Sequence, residues 1–265
     1  MTDSFQAPVD DRAVIIRDLF KRFGDHVAVG GISLDVPRGA FYGIVGPNGA
    51  GKSTTIKMCT TLLRPDGGAV WVDGHNVWSD VTEAKRRFGV LPDDLPLFER
   101  LTGGEFLSFL GVFRGLAPDV VAERCAALLA VLGLDDASRT LIADYSTGMR
   151  KKISLAAAVL HSPRVLFLDE PFESVDPVSA RTIQDVLRTY CAGGGTVVLS
   201  SHVMDTVERL CDHVAIVALG RIVVSGTVDA VRGGRRLEDV FIDAVGGQPV
   251  TQGDLGWLGG AAAPR

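Results

Sequence analysis

One contiguous stretch of eight residues limits the fold of this chain more than any other feature. Residues 46–53 read GPNGAGKS and match the pattern G-x-x-x-x-G-K-[ST]. The apolar run 41–45 before it predicts a buried strand, and residues 54–63 after it predict a helix. A strand, a glycine loop and a helix in this order indicate a phosphate-binding P-loop, because glycines let backbone N–H groups approach phosphate oxygens.

The residues of the predicted P-loop have separate tasks. Lys52 supplies a mobile positive charge for the β- and γ-phosphates of a nucleotide, and the Ser53 hydroxyl is placed to bind Mg²⁺. The positive end of the following helix points at the same oxygens. A glycine-rich turn without a ligand is the alternative. A dinucleotide-binding loop is disfavoured, because Thr54 stands where that motif needs glycine. The predicted nucleotide-binding residues here are Gly46, Pro47, Asn48, Gly49, Ala50, Gly51, Lys52, Ser53 and Thr54.

The composition is that of an ordinary globular protein, and it limits the kinds of partner that the chain is expected to bind. The 265 residues are 46% hydrophobic and 22% charged with a formal net charge of −5, so no strong positive field favours nucleic acid. Residues 1–12 include three aspartates and lack the apolar segment of a signal peptide. No apolar run approaches the roughly 18 residues of a membrane span, so work at a membrane would need spans from another chain. The scattered cysteines are expected to be reduced and buried: Cys59, Cys125, Cys191 and Cys211.

Apolar periodicity divides the chain into regions of different character. Residues 13–36 read as antiparallel strands with turns at Asp25 and Gly30-Gly31. Between 93 and about 160, apolar residues recur at helical spacing, which predicts an inserted helical subdomain. Its last helix is predicted at 149–160, with Ser146 as a candidate N-cap. Further strands are predicted at 69–74, 165–168, 196–199 and 214–217, and residues 87–91 form an apolar stretch that ends at Pro92. Helices are predicted at 178–190 and 204–210, and this alternation indicates a parallel sheet covered on both faces.

A second segment carries acidic chemistry. The apolar residues 165–168 lead directly into Asp169 and Glu170. Ligands of a parallel sheet bind at the carboxyl ends of its strands, so Asp169 is expected to hold Mg²⁺ beside the P-loop. Glu170 faces differently and is expected to polarise a water molecule aimed at the γ-phosphate. A strand that runs into an ordinary acidic turn is the alternative.

With a P-loop and an acidic strand in this order, the chain resembles the nucleotide-binding subunits of ATP-binding cassette (ABC) transporters over about residues 13–234. The family carries a signature loop, usually LSGGQ, before the acidic strand. Residues 145–149 stand in that place and read YSTGM, with Thr147 in place of the usual glycine. An ordinary N-capped helix with a basic first turn is the alternative for this segment. The resemblance implies that Ser146, Thr147 and Gly148 close over ATP held by a second subunit.

The resemblance also assigns roles to several single residues. His202 corresponds to a switch histidine that contacts the γ-phosphate, and Ser174 and Asp176 correspond to a D-loop that crosses to the partner subunit. Phe23 corresponds to the aromatic residue that stacks on adenine, with a core position as the alternative. Asp93 replaces the usual glutamine and is still able to bind Mg²⁺, whereas a solvated acidic turn is the alternative. The remaining histidines are expected to be structural: His26, His75, His161 and His213.

The resemblance implies an α/β P-loop NTPase fold with a RecA-like mixed or parallel sheet core, an N-terminal antiparallel β subdomain and an inserted helical subdomain at about 93–160. The expected division is a flexible tail (1–12), an ABC ATPase domain (13–235) and a short C-terminal extension (236–265). Residues 237–241, LEDVF, resemble an element of ABC-2 type exporter ATPases.

The implied activity is ATP hydrolysis with Mg²⁺ in a head-to-tail dimer, formed with a second copy or with a homologous ATPase subunit. This dimer would dock on an integral membrane permease at the cytoplasmic face of the cell membrane, and no nucleic acid is expected. Two alternatives stay open at this stage. One is a soluble ABC-type ATPase that acts on ribosomes or nucleic acid, and the other is a non-hydrolysing nucleotide sensor.

Overall fold

The computed structural model describes residues 11–93 and 97–246. Nearly all of the predicted N-terminal tail, Asp94 and residues 247–265 of the predicted extension lie outside these ranges. The strands of the described part are β1 (Arg12–Phe23), β2 (His26–Pro37), β3 (Phe41–Val45), β4 (Gly67–Val72), β5 (His75–Asn76), β6 (Phe88–Leu91), β7 (Val165–Leu168), β8 (Thr196–Ser201), β9 (His213–Ala218) and β10 (Arg221–Thr227). The α-helices are α1 (Lys52–Cys59), α2 (Val81–Arg87), α3 (Gly103–Phe113), α4 (Pro118–Val131), α5 (Thr147–Val159), α6 (Pro177–Ala192), α7 (Met204–Leu210), α8 (Val228–Arg232) and α9 (Leu237–Val245).

The central sheet has six strands in the order β10-β9-β3-β8-β7-β6. The strands from β9 to β6 are parallel, and β10 adds an antiparallel edge. Phe41 and Val45 of β3 belong to one core cluster, with residues of α5, α6 and α7, whereas Tyr42 and Ile44 belong to a second cluster. Burial on both faces explains why β3 and β7 are continuous apolar runs. The predicted α/β class with a mixed sheet is confirmed.

The parallel arrangement brings the carboxyl ends of β3, β8 and β7 to one edge of the sheet. The P-loop follows β3, Asp169 follows β7, and His202 follows β8. Because β8 lies between β3 and β7, its carboxyl end lies beside both the P-loop and the acidic segment. The strand order therefore decides which side chains of three distant segments meet.

The second sheet is antiparallel, with the order β2-β1-β4-β5. The predicted turn at Gly30-Gly31 is wrong, because both glycines lie inside β2. Leu19 pairs with Ile32 and Phe20 pairs with Gly30, so Gly31 is an extra residue in the ladder, with φ of 95°. A bulge of this kind is favoured at glycine, which adopts positive φ without a steric penalty.

The helices differ from the predictions mainly at their ends. The helix predicted at 54–63 is α1, which begins at Lys52 because Gly51 takes a left-handed conformation at its N-cap. The helix predicted at 149–160 is α5, which begins at Thr147, and Ser146 is its N-cap as predicted, accepting a hydrogen bond from the Met149 N–H. Besides α3 and α4, α5 contacts β6 and α6, so it joins the helical subdomain to the sheet.

Two further properties agree with the sequence. Within the described ranges, no helix is both long and apolar enough to span a bilayer. The four cysteines are free thiols, three of them buried and Cys191 half-buried. Burial raises the pKa of Cys59 to about 12, so this thiol is inert at neutral pH.

Candidate functional site

The glycine loop after β3 is shaped by close backbone contacts. Gly49 and Gly51 have positive φ angles of 79° and 102°. A Cβ atom on Gly51 would lie 2.4 Å from the Ala28 carbonyl oxygen, and one on Gly46 would lie 2.3 Å from that of Val217. Only glycine fits at these two positions, so the loop curves tightly and its N–H groups stay accessible to an anion.

Lys52 and Ser53 begin α1 and face the same space. The Lys52 ammonium donates to the carbonyl oxygens of Gly46, at 2.8 Å, and of Pro47, at 3.2 Å. The Ser53 hydroxyl donates to Asp169 Oδ1 at 2.9 Å, across 116 residues of sequence. The predicted meeting of the P-loop with the acidic strand is therefore present in the structure.

Asp169 is buried, and among the described residues only one of its two carboxylate oxygens has hydrogen-bond partners. Its Oδ1 accepts from the hydroxyls of Ser53 and Ser200, the latter at 2.6 Å, whereas its buried Oδ2 has no hydrogen-bond partner among the described residues. A buried unpaired carboxylate oxygen next to a serine hydroxyl suits a hard cation such as Mg²⁺. Within the described ranges, no group of three or more His, Cys, Asp or Glu side chains suited to a metal is found.

Glu170 stands between two basic side chains. Its Oε1 lies 3.7 Å from the Lys52 ammonium, and its Oε2 lies 3.1 Å from His202 Nδ1. The carboxylate is nearly buried, whereas the His202 side chain is 40% exposed. The backbone of Glu170 has φ of 45°, an unusual value for a residue with a side chain. Such strain in a site that binds ligands is typical of a functional position.

A cavity of about 450 Å³ adjoins these groups. Asp93 and Glu170 are among its lining residues, as is Phe23, which is half exposed. His26 also lines the cavity, which places it at the candidate site although it was expected to be structural. His202 lines a separate hollow against α9, so it reaches the site through Glu170. The residues around the cavity are Phe23, His26, Ala28, Asn48, Gly49, Ala50, Gly51, Lys52, Ser53, Thr54, Asp93, Glu170 and Glu173.

The predicted signature loop and D-loop adjoin one another. A Cβ atom on Gly148 would lie 2.7 Å from Asp176 Oδ2, so these segments pack closely. Asp176 caps α6 by accepting from the N–H groups of Val178 and Ser179, which lowers the pKa of its carboxyl. Ser174 adopts φ of 56° just before this cap. Neither Ser146, Thr147 nor Gly148 is among the described residues that line the P-loop cavity.

Two contributors to the site were not predicted. Ser200 donates to Asp169 and accepts from the Glu170 N–H at 2.9 Å, and Lys151 donates to the Glu170 carbonyl oxygen at 3.1 Å. Ser200 had a sequence signal, since it ends an apolar strand next to the acidic one. Lys151 had none, because a lysine in the first turns of a helix usually faces solvent.

The fold and the site together define a P-loop nucleoside triphosphatase. Comparison with known proteins gives the family: residues 29–173 match the ABC transporter family. The chain is 41% identical over 221 residues to the daunorubicin/doxorubicin resistance ATP-binding protein DrrA of Streptomyces peucetius, covering 83% of this chain and 67% of that protein. It is 35% identical over 225 residues to the Nod factor export ATP-binding protein I of Burkholderia lata, covering 85% of this chain and 72% of that protein.

A solved ATP-binding subunit of an ABC transporter superposes with a TM-score of 0.82 at 29% identity, covering 88% of this chain and 99% of that one. The chain therefore belongs to the ABC transporter family, as an ATP-binding subunit that hydrolyses ATP and works with a membrane permease. The predicted resemblance to ATPases of the exporter branch is confirmed. The alternatives of a ribosome- or nucleic-acid-directed ATPase and of a non-hydrolysing sensor are not supported.

Proposed function

We propose that this ATPase powers export through a separate permease, at the cytoplasmic face of the membrane. Its similarity to a drug-resistance ATP-binding protein and to a Nod factor export protein supports this direction of transport. The LEDVF segment forms the start of α9, which packs on α7 and β9 in the ATPase body. We further propose that the ATPase domain comprises residues 13–235, with the remainder of the chain as an extension.

One observation supports the proposed coupling mechanism: the signature-loop residues are not among the described residues that line the P-loop cavity of the same chain. Ser146 caps α5, so the N-terminus of this helix offers N–H groups and a positive dipole end to an anion. A second copy in head-to-tail arrangement would bring its signature loop to the γ-phosphate, with Ser174 and Asp176 beside the same interface. ATP binding then closes the dimer, and hydrolysis with phosphate release reopens it. Coupling to transport requires that the closed and open states bind the permease differently.

The contacts of the site support a separate role for each of its residues within one subunit. The P-loop N–H groups and Lys52 hold the β- and γ-phosphates, and Phe23 stacks on adenine. Ser53 and Asp169 would hold Mg²⁺, and Asp93, which lines the same cavity, could contribute a further oxygen. When bound, the ion screens the negative charge of the phosphates.

Hydrolysis depends on Glu170 and His202. The Glu170 carboxylate orients the attacking water and accepts its proton. His202 holds this carboxylate through Oε2 and lies ready to contact the γ-phosphate when the dimer closes. Lys52 neutralises the same carboxylate until a nucleotide displaces its ammonium toward the phosphates.

A trapping experiment tests this proposal. We expect Glu170→Gln to bind Mg-ATP with wild-type affinity, to hydrolyse it at least about 100-fold more slowly, and to elute as a dimer. Size-exclusion chromatography with light scattering and a phosphate-release assay measure the two effects. Glu83→Gln, on the exposed pair with Arg86, is the matched control and should behave as wild type.

The outcome that contradicts the proposal is a Glu170→Gln protein that turns over normally or stays monomeric with Mg-ATP. Association with a permease is tested separately, by pull-down of the full chain from detergent-solubilised membranes. A polytopic membrane protein should co-purify, and its recovery should change between ADP and the trapped ATP state.

A further inference from the structure

Lys151 has an unusual position for a lysine near the start of a helix. It is the fifth residue of α5, and its side chain is only 13% exposed. Instead of facing solvent, its ammonium donates to the Glu170 carbonyl oxygen at 3.1 Å and lies 3.4 Å from Asp93 Oδ1. One side chain therefore connects the helix of the signature loop, the turn after β7 and the end of β6.

The contact with Glu170 concerns its backbone. Glu170 has a left-handed conformation, which a residue with a Cβ keeps only when its surroundings hold it there. The Ser200 hydroxyl accepts from its N–H on one side, and Lys151 donates to its carbonyl oxygen on the other. With both peptide groups anchored, the carboxylate is directed between Lys52 and His202.

The contact with Asp93 concerns charge. Asp93 lines the cavity in which the P-loop is exposed, so its carboxylate faces the space proposed for a triphosphate. A negative charge beside phosphates weakens their binding unless a cation compensates it. Lys151 lies 3.4 Å from Asp93 Oδ1 and is placed to compensate this charge, and its side chain is more buried than the 43% exposed Asp93 side chain.

We propose that Lys151 is a positioning residue with two separable effects, which rest on the proposed function of the site. It holds the Glu170 turn in its left-handed conformation, and it neutralises Asp93 so that an acid is compatible with nucleotide binding at this position. The acid at Asp93 and the lysine at Lys151 thus form one functional pair, joined across 58 residues of sequence.

The charge effect predicts a change in affinity and its rescue. We expect Lys151→Gln to weaken the binding of a fluorescent ATP analogue about fivefold, because Asp93 is left uncompensated. All titrations are made in Mg²⁺-free buffer, so that the proposed contribution of Asp93 to metal binding does not enter. The double variant Lys151→Gln with Asp93→Asn should then restore the wild-type Kd, whereas Asp93→Asn alone should tighten binding. Lys151→Arg keeps the charge and should keep the affinity.

The backbone effect predicts a change in kcat that is not rescued. We expect kcat for Mg-ATP to fall about tenfold in Lys151→Gln and to stay low in the double variant, because Asp93→Asn does not replace the anchor of the Glu170 carbonyl. A merely structural role would change kcat and Kd together with the melting temperature, so thermal unfolding is measured for each variant. Arg181→Gln, which removes an exposed cation paired on α6, is the control.

The expected results distinguish a failure of this proposal from a failure of the proposed role of Glu170. Wild-type Kd and kcat in Lys151→Gln would overturn the proposal, as would a double variant whose affinity is not restored. Should Lys151→Gln fail to fold, Asp93→Asn still decides, since unchanged nucleotide affinity in that variant contradicts the charge pairing. If Glu170→Gln hydrolyses ATP normally, the proposed role of Glu170 fails, whereas the rescue of affinity still tests the pair.

Discussion

His161, just after α5, makes the stability of this protein sensitive to acid. Its Nε2–H donates to the Phe88 carbonyl oxygen, 3.0 Å away at the start of β6, and its buried Nδ1 has no partner among the described residues. Burial, assisted by the positive charges of Arg114 and Arg124, lowers the pKa of His161 to about 4, although the bond to Phe88 opposes this shift. The neutral imidazole is therefore the form that joins α5 to β6.

The sign of the effect follows from proton linkage. The imidazole has an ordinary pKa of 6.5 and a pKa of about 4 in the folded chain, so between these values the unfolded chain binds the extra proton. Stability is complete above pH 6.5 and is lost as the pH falls toward 4. The loss from this one group is about 1 kcal/mol at pH 5.5 and approaches about 3 kcal/mol at pH 4.

Urea unfolding at pH 8.0 and pH 5.5, followed by tryptophan fluorescence, measures this loss for wild type and for His161→Gln. Glutamine does not titrate and is able to donate to the Phe88 carbonyl, so its loss between the two pH values should be smaller by about 1 kcal/mol. Comparison at pH 8.0, where both side chains are neutral, gives the packing effect of the substitution alone. An equal loss in both proteins would refute the argument.

Two further substitutions test the nucleotide site. Gly46→Ala should abolish nucleotide binding in a titration with labelled ATP, because its Cβ would lie 2.3 Å from a backbone oxygen; Gly104→Ala, whose nearest contact would be an ordinary 3.6 Å, should bind normally. Phe23→Ala should weaken ATP binding by roughly 1–3 kcal/mol in the same assay while Phe23→Trp retains it, and unchanged affinity in Phe23→Ala would show that adenine does not stack on this ring.

Features that depend on residues adjacent in the sequence could be predicted from the sequence alone. The P-loop is contiguous, so its strand, glycines and helix N-terminus could be predicted without knowing the rest of the fold. Asp169 and Glu170 were predictable by a general rule about strand ends in parallel sheets. By contrast, α2 has only Ala84 buried and carries no apolar periodicity, and β10 is a partly exposed edge strand, so neither was predicted.

The arrangement of the site depends on contacts between distant segments. Ser53 and Asp169 are 116 residues apart, and their contact exists because β8 lies between β3 and β7 with its Ser200 hydroxyl on Asp169. Lys151 could not be assigned from its position on a helix, because its partners come from the ends of two other elements.

The sequence by itself determined the class of chemistry, since a glycine loop, a lysine and an acidic strand end each carry their function in local geometry. Only the tertiary structure decided that Lys151 lies beside Asp93, that the Ser200 hydroxyl donates to Asp169, and that the signature loop is not among the described residues lining the P-loop cavity of its own chain. The physical reason is that backbone conformation is set mainly by neighbouring residues, whereas charge compensation and burial depend on which segments the sheet brings together.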